Sequence, residues 1–210
     1  MKINVEKTSY MIFTRSKTDF GTRLSLDNAK LDRVEEAKVV GVWLQSDMKW
    51  TKNTKELTRK AYSRLSMLTK LKYAGVSKED LIEVYILFIR SVVEYCAVMW
   101  HSSLTVELKN SLEMIEKTCL KVILDDHYVS YSAALEMCSL TTLFQRREDR
   151  CLSFAQKCLK HPSLRSMFLL NPNNTNNKCT SREVFKVNFA RTDTYKTPAI
   201  PYLQRRLNGL

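Results

Sequence analysis

The sequence predicts an α+β fold that is mostly α, in which N-terminal antiparallel β-hairpins precede a helical bundle. Apolar runs typical of strands end before Thr51, and from there apolar residues recur with the 3.6-residue period of helices. The 210 residues contain four Gly and four Pro, which is too few turn residues for an all-β sandwich. The apolar content of 44% is enough to fill a hydrophobic core.

Three apolar and β-branched runs, at residues 9–15, 23–27 and 37–44, predict the strands of an antiparallel meander. Asp27-Asn28 predicts a tight hairpin turn, because both residue types tolerate a positive φ. Gly41 lies inside the third run, where it predicts a bulge or the close approach of another backbone.

The first helix is predicted from Thr51, with one apolar face and one basic face. Gly75 is placed to end it in a left-handed cap. The apolar face is expected to contain Leu57, Ala61, Leu65, Leu68 and Leu71, and the basic face Lys52, Lys55, Arg59 and Lys70.

Two capping boxes predict the starts of later helices. Ser77 is the expected N-cap of a central helix that reaches about Trp100, and Thr142 that of a helix that reaches His161 and ends before Pro162. Further helices are expected over residues 105–124 and 130–138. An Asn-rich flexible loop is expected at 171–177, a strand at 184–189 and an amphipathic segment at 200–207.

Four regions follow from this pattern. They are a β meander at residues 1–50, a helical region at 51–165, a flexible Asn-rich loop at 166–182 and a C-terminal strand and tail at 183–210.

The residues predict no catalytic site, no metal site and no cofactor. The six cysteines lack zinc-ribbon spacing, and His101, His127 and His161 lack the spacing of a metal motif. Asp125-Asp126 follows the last turn of a predicted helix, where solvated loop acids are common. Neither a G-x-G-x-x-G nor a P-loop sequence occurs.

The same sequence predicts an intracellular protein, nuclear or cytoplasmic, with reduced thiols. The N-terminus alternates apolar and polar residues and builds no apolar leader. The most apolar stretch, residues 84–100, is interrupted by Arg90 and Glu94, so we expect no membrane span and no membrane partner.

Nucleic acid is the partner class that the charge favours. The chain has 34 Lys and Arg against 22 Asp and Glu, a net charge of +12. Residues 51–74 hold seven basic side chains against Glu56, and residues 178–210 hold seven against Glu183 and Asp193. For one basic stripe, a merely solvated helix face is an equally good interpretation, and the two stripes together favour binding.

The order of several short motifs resembles the C-terminal part of a non-LTR (LINE-type) retrotransposon reverse transcriptase, comprising the end of the palm, the thumb and the connection region. The likeness spans nearly the whole chain, and its specificity comes from the ordered set. The matching segments are NVEKT at 4–8, VVGVWL at 39–44, MKW at 48–50, RLSML at 64–68, IRSVVEY at 89–95, LFQRREDRC at 143–151 and IPYL at 200–203.

The resemblance implies a fragment that binds RNA or an RNA·DNA duplex weakly, in a salt-dependent way. Lys7 would lie near the incoming nucleotide, and the basic helix would follow the template–primer duplex. The metal-binding aspartates of the family would lie before Asn4, so we expect no DNA synthesis by this chain. The implied contacts are Lys7, Lys52, Lys55, Arg59, Lys60 and Lys70, with Val40, Gly41, Val42 and Trp43 in a grip on the primer end.

Three alternatives stay open, and the oligomeric state is not predicted. The chain could be a helical protein-interaction module without nucleic-acid contacts. Residues 65–100 also resemble a short N-terminal segment of an AlkB-type alkylation-repair homologue family, although the iron triad and methyltransferase loop of that family are missing. Finally, strands within residues 9–44 could lack partners and leave an edge that aggregates, so that the chain is not stably folded.

Overall fold

A computed structural model describes residues 3–13, 21, 23–26, 28–168, 184–187 and 197–209. The chain divides into two compact units, Met1–Glu56 and Leu57–Leu210. The predicted fold class is confirmed, since the structure is α+β and mostly helical, with a few short strands.

The described part of the first unit contains short strands in paired ladders. A 3-10 turn, Val5–Lys7, precedes them. Among the described residues, β1 (Ser9–Tyr10) pairs with β4 (Asp32–Arg33), β2 (Ser25–Leu26) with β3 (Ala29–Lys30), and β5 (Glu36–Val39) with β6 (Val42–Gln45).

The predicted turn between β2 and β3 is confirmed, whereas the meander is wrong for β1. Leu26 pairs with Ala29 in an antiparallel hairpin, and Asn28 has a φ of +63°. However, β1 pairs with β4 and not with the next strand along the chain, and the two run parallel. Residues 14–15 and Asp27 of the predicted strands lie outside the described residues.

The apolar run at 37–44 is a hairpin, so its prediction as one strand is wrong. Val39 pairs with Val42, and the two residues between them form the turn. Val40 and Gly41 have φ values of +47° and +82°, the combination of a type I′ turn. Gly41 therefore permits a reversal of the chain instead of a bulge. Val40 is β-branched, so its left-handed backbone is strained.

From α1 to α8 the helices are connected by short turns. Among the described residues they are α1 (Thr51–Tyr73), α2 (Lys78–Val84), which continues as a π-helical segment (Tyr85–Arg90), α3 (Ser91–Val93), α4 (Ala97–Trp100), α5 (Val106–Leu124), α6 (Tyr131–Met137), α7 (Leu143–Lys160), α8 (Pro162–Arg165) and α9 (Ala199–Asn208). Two 3-10 turns, His101–Ser103 and Asp125–His127, follow α4 and α5.

Side-chain caps define where the helices begin, and those predicted are confirmed. Ser77 Oγ accepts a hydrogen bond from the Asp80 amide at 3.2 Å. Thr142 Oγ1 accepts one from the Gln145 amide at 3.1 Å. Gly75, with a φ of +80°, ends α1 as expected.

The predicted continuous helix from Ser77 to Trp100 is wrong. After α2 the helix widens into the π-helical segment and continues as α3. It ends after Val93. Cys96 then adopts a φ of +50°, which breaks the helical path before α4 begins. Pro162 follows the end of α7 as predicted, and it also stands at the start of α8, where a missing amide hydrogen is tolerated.

The hydrophobic core of the second unit lies between these helices. Its largest fully buried apolar side chains include Trp100, Leu68, Leu81, Leu112, Ile115 and Leu143. A second cluster joins α7 and α9, and it contains Cys151, Ala155, Cys158, Phe168, Phe185 and Leu203.

The amphipathic segment predicted at 200–207 lies within helix α9. The strand predicted at 184–189 is not formed within the described residues 184–187, where Phe185 makes an isolated bridge. The Phe185 amide instead donates to Asn208 Oδ1 at 2.8 Å, and Asn208 Nδ2 donates to the Phe185 carbonyl at 2.9 Å. The loop predicted at 171–177 lies outside the described residues.

The described cysteines are free thiols. Cys119, Cys138, Cys151 and Cys158 are buried, and Cys96 is half-buried, while Cys179 lies outside the described residues. Burial raises the pKa of the Cys119 and Cys151 thiols to about 12. None of the helices in the described ranges combines the length and the apolar character needed to cross a membrane.

Candidate nucleic-acid interface

Helix α1 presents the basic face that its periodicity predicts. Ala61 and Leu68 are fully buried, which fixes the orientation of the helix in the second unit. On the opposite face Arg59 and Lys70 are exposed, and Lys60 is half-exposed. Seven basic side chains against one glutamate make this helix strongly cationic.

Two exposed tyrosines lie between the cations of α1. Tyr62 and Tyr73 are 41% and 87% exposed, and Ser63 and Ser66 are exposed beside them. Aromatic rings can stack on unpaired bases, while hydroxyl groups and cations contact phosphates. This face therefore offers side chains that can contact both the bases and the phosphates of a nucleic acid.

Four of the five cations of α1 in the second unit fall into two groups. Lys72 Nζ donates to the Ile123 carbonyl at 3.2 Å, and Arg64 donates to the Phe88 carbonyl, so both side chains help to pack the helices. In the described part of the chain, no carboxylate lies within ion-pair distance of Lys60 or Lys70. Their charges are available to an external anion.

Lys52, in the first unit, has structural partners. Its ammonium lies 3.4 Å from a Glu36 carboxylate oxygen and 5.2 Å from the centre of the Trp43 ring. Its amide donates to Gln45 Oε1 at 2.8 Å, which joins β6 to the start of α1. Lys7 and Lys55, by contrast, are exposed.

The hairpin of β5 and β6 contains the four residues expected to grip a primer end. Val40 is 82% exposed at the tip beside Gly41. Val42 is 3% exposed, so its side chain packs inside the unit. The Trp43 amide donates to Asn53 Oδ1 at 3.2 Å, so the hairpin is also anchored to α1. Of the four residues, Val40 and Gly41 at the tip are therefore exposed, Trp43 is half-buried and Val42 is buried.

A buried polar network, centred on Arg147 of α7, was not predicted from the sequence. Arg147 is fully buried, and its guanidinium donates to Glu113 Oε1 at 3.0 Å and to His101 Nδ1 at 3.2 Å. Because Nδ1 accepts that bond, the proton of the neutral His101 ring is on Nε2, which lies 2.8 Å from Glu148 Oε1. His101 is thus a structural hydrogen-bonding residue.

Glu148 connects this network to α9. Besides His101, its carboxylate accepts a hydrogen bond from the Tyr202 hydroxyl and pairs with Arg206 at 2.7 Å. Burial opposes ionisation, but the His101 and Tyr202 hydrogen bonds and the Arg206 charge lower the pKa of Glu148 to about 2. Burial, together with the charge of Arg147, lowers the pKa of His101 despite its bond to Glu148.

Glu116 of α5 is a fully buried carboxylate, and it has three donors. Tyr85 and Tyr131 donate their hydroxyl protons at 2.7 Å and 2.6 Å, and the Leu143 amide donates at 3.1 Å. Burial raises the pKa of Glu116, although the hydrogen bonds oppose that shift. These bonds hold the start of α7 against α5 and α6.

Glu94, after α3, is a second buried carboxylate, and two arginines bind it. Its oxygens accept from Arg146 Nε at 2.6 Å and from Arg150 at 2.9 Å. Glu94 is 1% exposed in its side chain, whereas Arg146 and Arg150 are 28% and 52% exposed. The two arginines therefore close the cluster on its solvent side.

One sequence signal could have revealed the network. Arg147 occupies a position on the apolar stripe of α7, four residues from both Leu143 and Cys151, which are buried. Glu116 likewise lies on the apolar stripe of α5, next to Ile115. A charged residue on a buried stripe requires a buried partner. The identity of that partner depends on tertiary packing, which periodicity does not give.

The other chemistry-bearing residues are placed as follows. Asp125 and Asp126 are exposed in the 3-10 turn after α5, as the sequence predicted. In the parts of the chain that the structure describes, no group of three or more His, Cys, Asp or Glu side chains is placed to hold a metal ion.

Comparison with other proteins gives no family assignment. No family model, curated protein or solved structure matches this chain. Any function is therefore argued from the residues and their geometry.

Proposed function

We propose that this chain binds RNA or an RNA·DNA duplex through the exposed face of α1 in the second unit. Its relation to the C-terminal part of a non-LTR reverse transcriptase is part of the same proposal. The contacts are electrostatic, so binding is weak and depends steeply on salt.

The observation that carries the proposal is the combination of an exposed and a half-exposed cation with two exposed tyrosines on one helix. Lys60 and Lys70 lack carboxylate partners within the described residues, and Tyr62 and Tyr73 lie among them. A solvated helix on an ordinary surface usually mixes both signs of charge. α1 contains a single acidic residue, Glu56, so the positive field is not neutralised along the helix.

Charge reversal on α1 tests the proposal. The double variant Lys60→Glu with Lys70→Glu is compared with wild type in a fluorescence-anisotropy titration of a labelled RNA·DNA duplex. We expect at least a tenfold loss of affinity at about 50 mM salt. We also expect the slope of log K against log salt to decrease in magnitude by about two, because each phosphate contact contributes about one.

The matched control is Lys157→Glu with Lys160→Glu on α7. Both lysines are exposed, and the change in net charge is identical. If the control loses as much affinity as the α1 variant, the binding reflects net charge rather than the α1 face. Absence of binding by the wild type at about 50 mM salt would contradict the proposal.

We further propose that the chain does not synthesise DNA. The support is the resemblance itself, since the matching segments belong to the palm end, thumb and connection region rather than to the metal-binding hairpin of the palm. A primer-extension assay with Mg²⁺ tests it, and incorporation of nucleotides by this polypeptide alone would refute it.

A protein-interaction module is the second candidate function. It is favoured by exposed apolar side chains in the π-helical segment and in α4. Leu87 and Phe88 of the former are 64% and 49% exposed, and Met99 of the latter is 50% exposed. The same titration distinguishes the two functions, because a protein-interaction module would show no salt-dependent affinity for the duplex.

An intracellular location, nuclear or cytoplasmic, is part of the proposal as well. It is supported by the free thiols of the described cysteines, which persist in reducing compartments. Imaging of a fluorescent fusion would test this location.

A further inference from the structure

Helix α1 contains two equal pairs of side chains, each a cation followed three residues later by a tyrosine. Arg59 precedes Tyr62 and Lys70 precedes Tyr73, so the second pair lies 11 residues after the first. A shift of this length is about three turns of an α-helix with a remaining rotation of about 20°, so the two pairs share one face. At about 1.5 Å per residue, they are about 16 Å apart along the helix axis.

The burial of α1 agrees with this shared face. Both cations and both tyrosines are exposed, and the exposed fractions of Tyr62 and Tyr73 are 41% and 87%. Ala61, by contrast, belongs to the apolar face and is fully buried. Neither tyrosine makes a hydrogen bond or a ring contact with another described residue. The two rings are therefore not used to hold the described part of the fold together.

The charge of this part of α1 favours a polyanion as its ligand. From Leu57 to Tyr73 the helix has five basic side chains and no acidic one. An acidic peptide would match this charge, but it has no regular succession of flat rings. A polynucleotide offers a phosphate and a base at every position, and cations and aromatic rings bind these two groups. The repeated pair of a cation and a tyrosine therefore fits a polynucleotide.

The tyrosines distinguish an unpaired strand from a duplex. A base can stack on a tyrosine ring only when its face is free. In the interior of a duplex the neighbouring base pairs cover both faces of each base, so the cations can bind its phosphates but the tyrosines cannot stack on its bases. Two exposed tyrosines on one face, each one turn after a cation, thus favour a strand with unpaired bases.

We propose that this face of α1 binds an unpaired RNA strand, with one base stacked on Tyr62 and another on Tyr73. Arg59 and Lys70 bind the phosphates beside the stacked bases. At about 3.4 Å per nucleotide, a strand covers the distance between the tyrosines in about five nucleotides. The inference rests on the function proposed above, because it uses the same face, and it adds the form of nucleic acid that the tyrosines engage.

Removal of both rings tests the inference. The double variant Tyr62→Ala with Tyr73→Ala is compared with wild type by fluorescence anisotropy, using a single-stranded RNA and an RNA·DNA duplex of equal length at about 50 mM salt. We expect at least a tenfold loss of affinity for the single strand, because each stacked base contributes about fivefold or more. Affinity for the duplex should change less than twofold, since its phosphates still meet the cations.

Two protein variants and one ligand serve as controls. Tyr62→Phe with Tyr73→Phe keeps both rings, so it should bind the single strand as wild type does. Phe154→Ala removes an aromatic ring that is 42% exposed on α7, and it should also bind normally. An abasic strand keeps the phosphates without the bases, so wild type should bind it at least tenfold more weakly than the ordinary strand. Equal affinities for these two strands would overturn the inference.

Failure of the inference and failure of the proposed function give different results. If Lys60→Glu with Lys70→Glu loses affinity for the duplex while the double tyrosine variant keeps its affinity for the single strand, the cationic face binds without stacking and only the inference is overturned. If wild type binds neither ligand, both are overturned.

A single variant decides the matter if the double tyrosine variant does not fold. Tyr73→Ala changes a side chain that is 87% exposed, so the fold should tolerate it. It should lose at least threefold in affinity for the single strand and keep its affinity for the duplex. Unchanged affinity for the single strand, or an equal loss for both ligands, overturns the inference.

Discussion

Helices α1 and α7 are both basic, yet they use their cations in opposite ways. α1 has seven basic residues and one acidic residue, and Arg59 and Lys70 are exposed. α7 has five basic residues and two acidic ones, and Arg147 is fully buried. The difference lies in where a cation falls relative to the apolar stripe of its helix. A charge count alone therefore does not distinguish a binding surface from a structural network.

Removal of the buried cation should have the largest effect on stability. Arg147→Met leaves the Glu113 carboxylate, 15% exposed, without its charged partner, and breaking a buried pair costs about 3–5 kcal/mol. Urea unfolding at pH 7 measures the change. The double variant Arg147→Met with Glu113→Gln should recover at least half of the loss, because no unpaired charge remains.

The exposed cation Lys157, on the same helix, is the control for that experiment. Lys157→Met should change the free energy of unfolding by less than about 0.5 kcal/mol. If Arg147→Met costs no more than this, the network does not contribute to stability and the contrast between the helices fails.

Acid should weaken the α7 network in two pH ranges. The pKa of Glu148 falls from its ordinary 4.5 to about 2 on folding, so its contribution is complete above pH 4.5 and is lost as the pH falls toward 2. The pKa of His101 is also lowered from 6.5, so stability decreases as acid protonates the unfolded chain below that pH. Both shifts make the native state less stable in acid.

Glu148→Gln separates the two ranges. In thermal melts from pH 8 to pH 3, wild type should lose stability in both ranges. The variant should lack the decrease that Glu148 causes between pH 4.5 and pH 3. Parallel curves for the two proteins below pH 4.5 would contradict the role of the Glu148 carboxylate.

The N-cap of α7 should have a smaller effect. Thr142→Ala removes the acceptor for the Gln145 amide, and loss of such a cap costs about 1 kcal/mol. Urea unfolding measures it, and Thr142→Ser should restore most of the loss because serine supplies the same acceptor. Equal losses in both variants would mean that the threonine methyl group, and not the cap, is responsible.

Neutralising Lys60 and Lys70 of α1 should have the smallest effect on stability. Lys60→Gln with Lys70→Gln should change the free energy of unfolding by less than about 0.5 kcal/mol per site, since no described carboxylate pairs with either lysine. The same protein should bind the duplex less tightly. A loss of stability above 2 kcal/mol would place these lysines among the structural residues and remove the contrast with α7.

Local patterns in the sequence were sufficient for three of the helix ends. Ser77, Thr142 and Gly75 act within one turn of backbone, so their roles follow from neighbouring residues. The same holds for the buried face of α1, which is set by the 3.6-residue period.

What could not be predicted depends on partners distant in sequence. β1 pairs with β4 in parallel, and no local rule selects that partner. The apolar run at 37–44 lacks polar turn residues, so the positive φ of Val40 gave no compositional signal. Glu94 meets Arg146 across 52 positions in the chain, and such an encounter is decided by helix packing.

The π-helical segment determines which side chains reach the cluster around Glu94. Tyr85 and Arg90 are five residues apart and both buried, whereas in an α-helix side chains five apart would diverge by about 140°. The wider turn thus resets the rotational phase of the chain beyond it by about one residue. Loss of a single codon between Tyr85 and Arg90 would place these two side chains four residues apart, an offset of about 40° in an α-helix, so an ordinary helix would then keep both on one face.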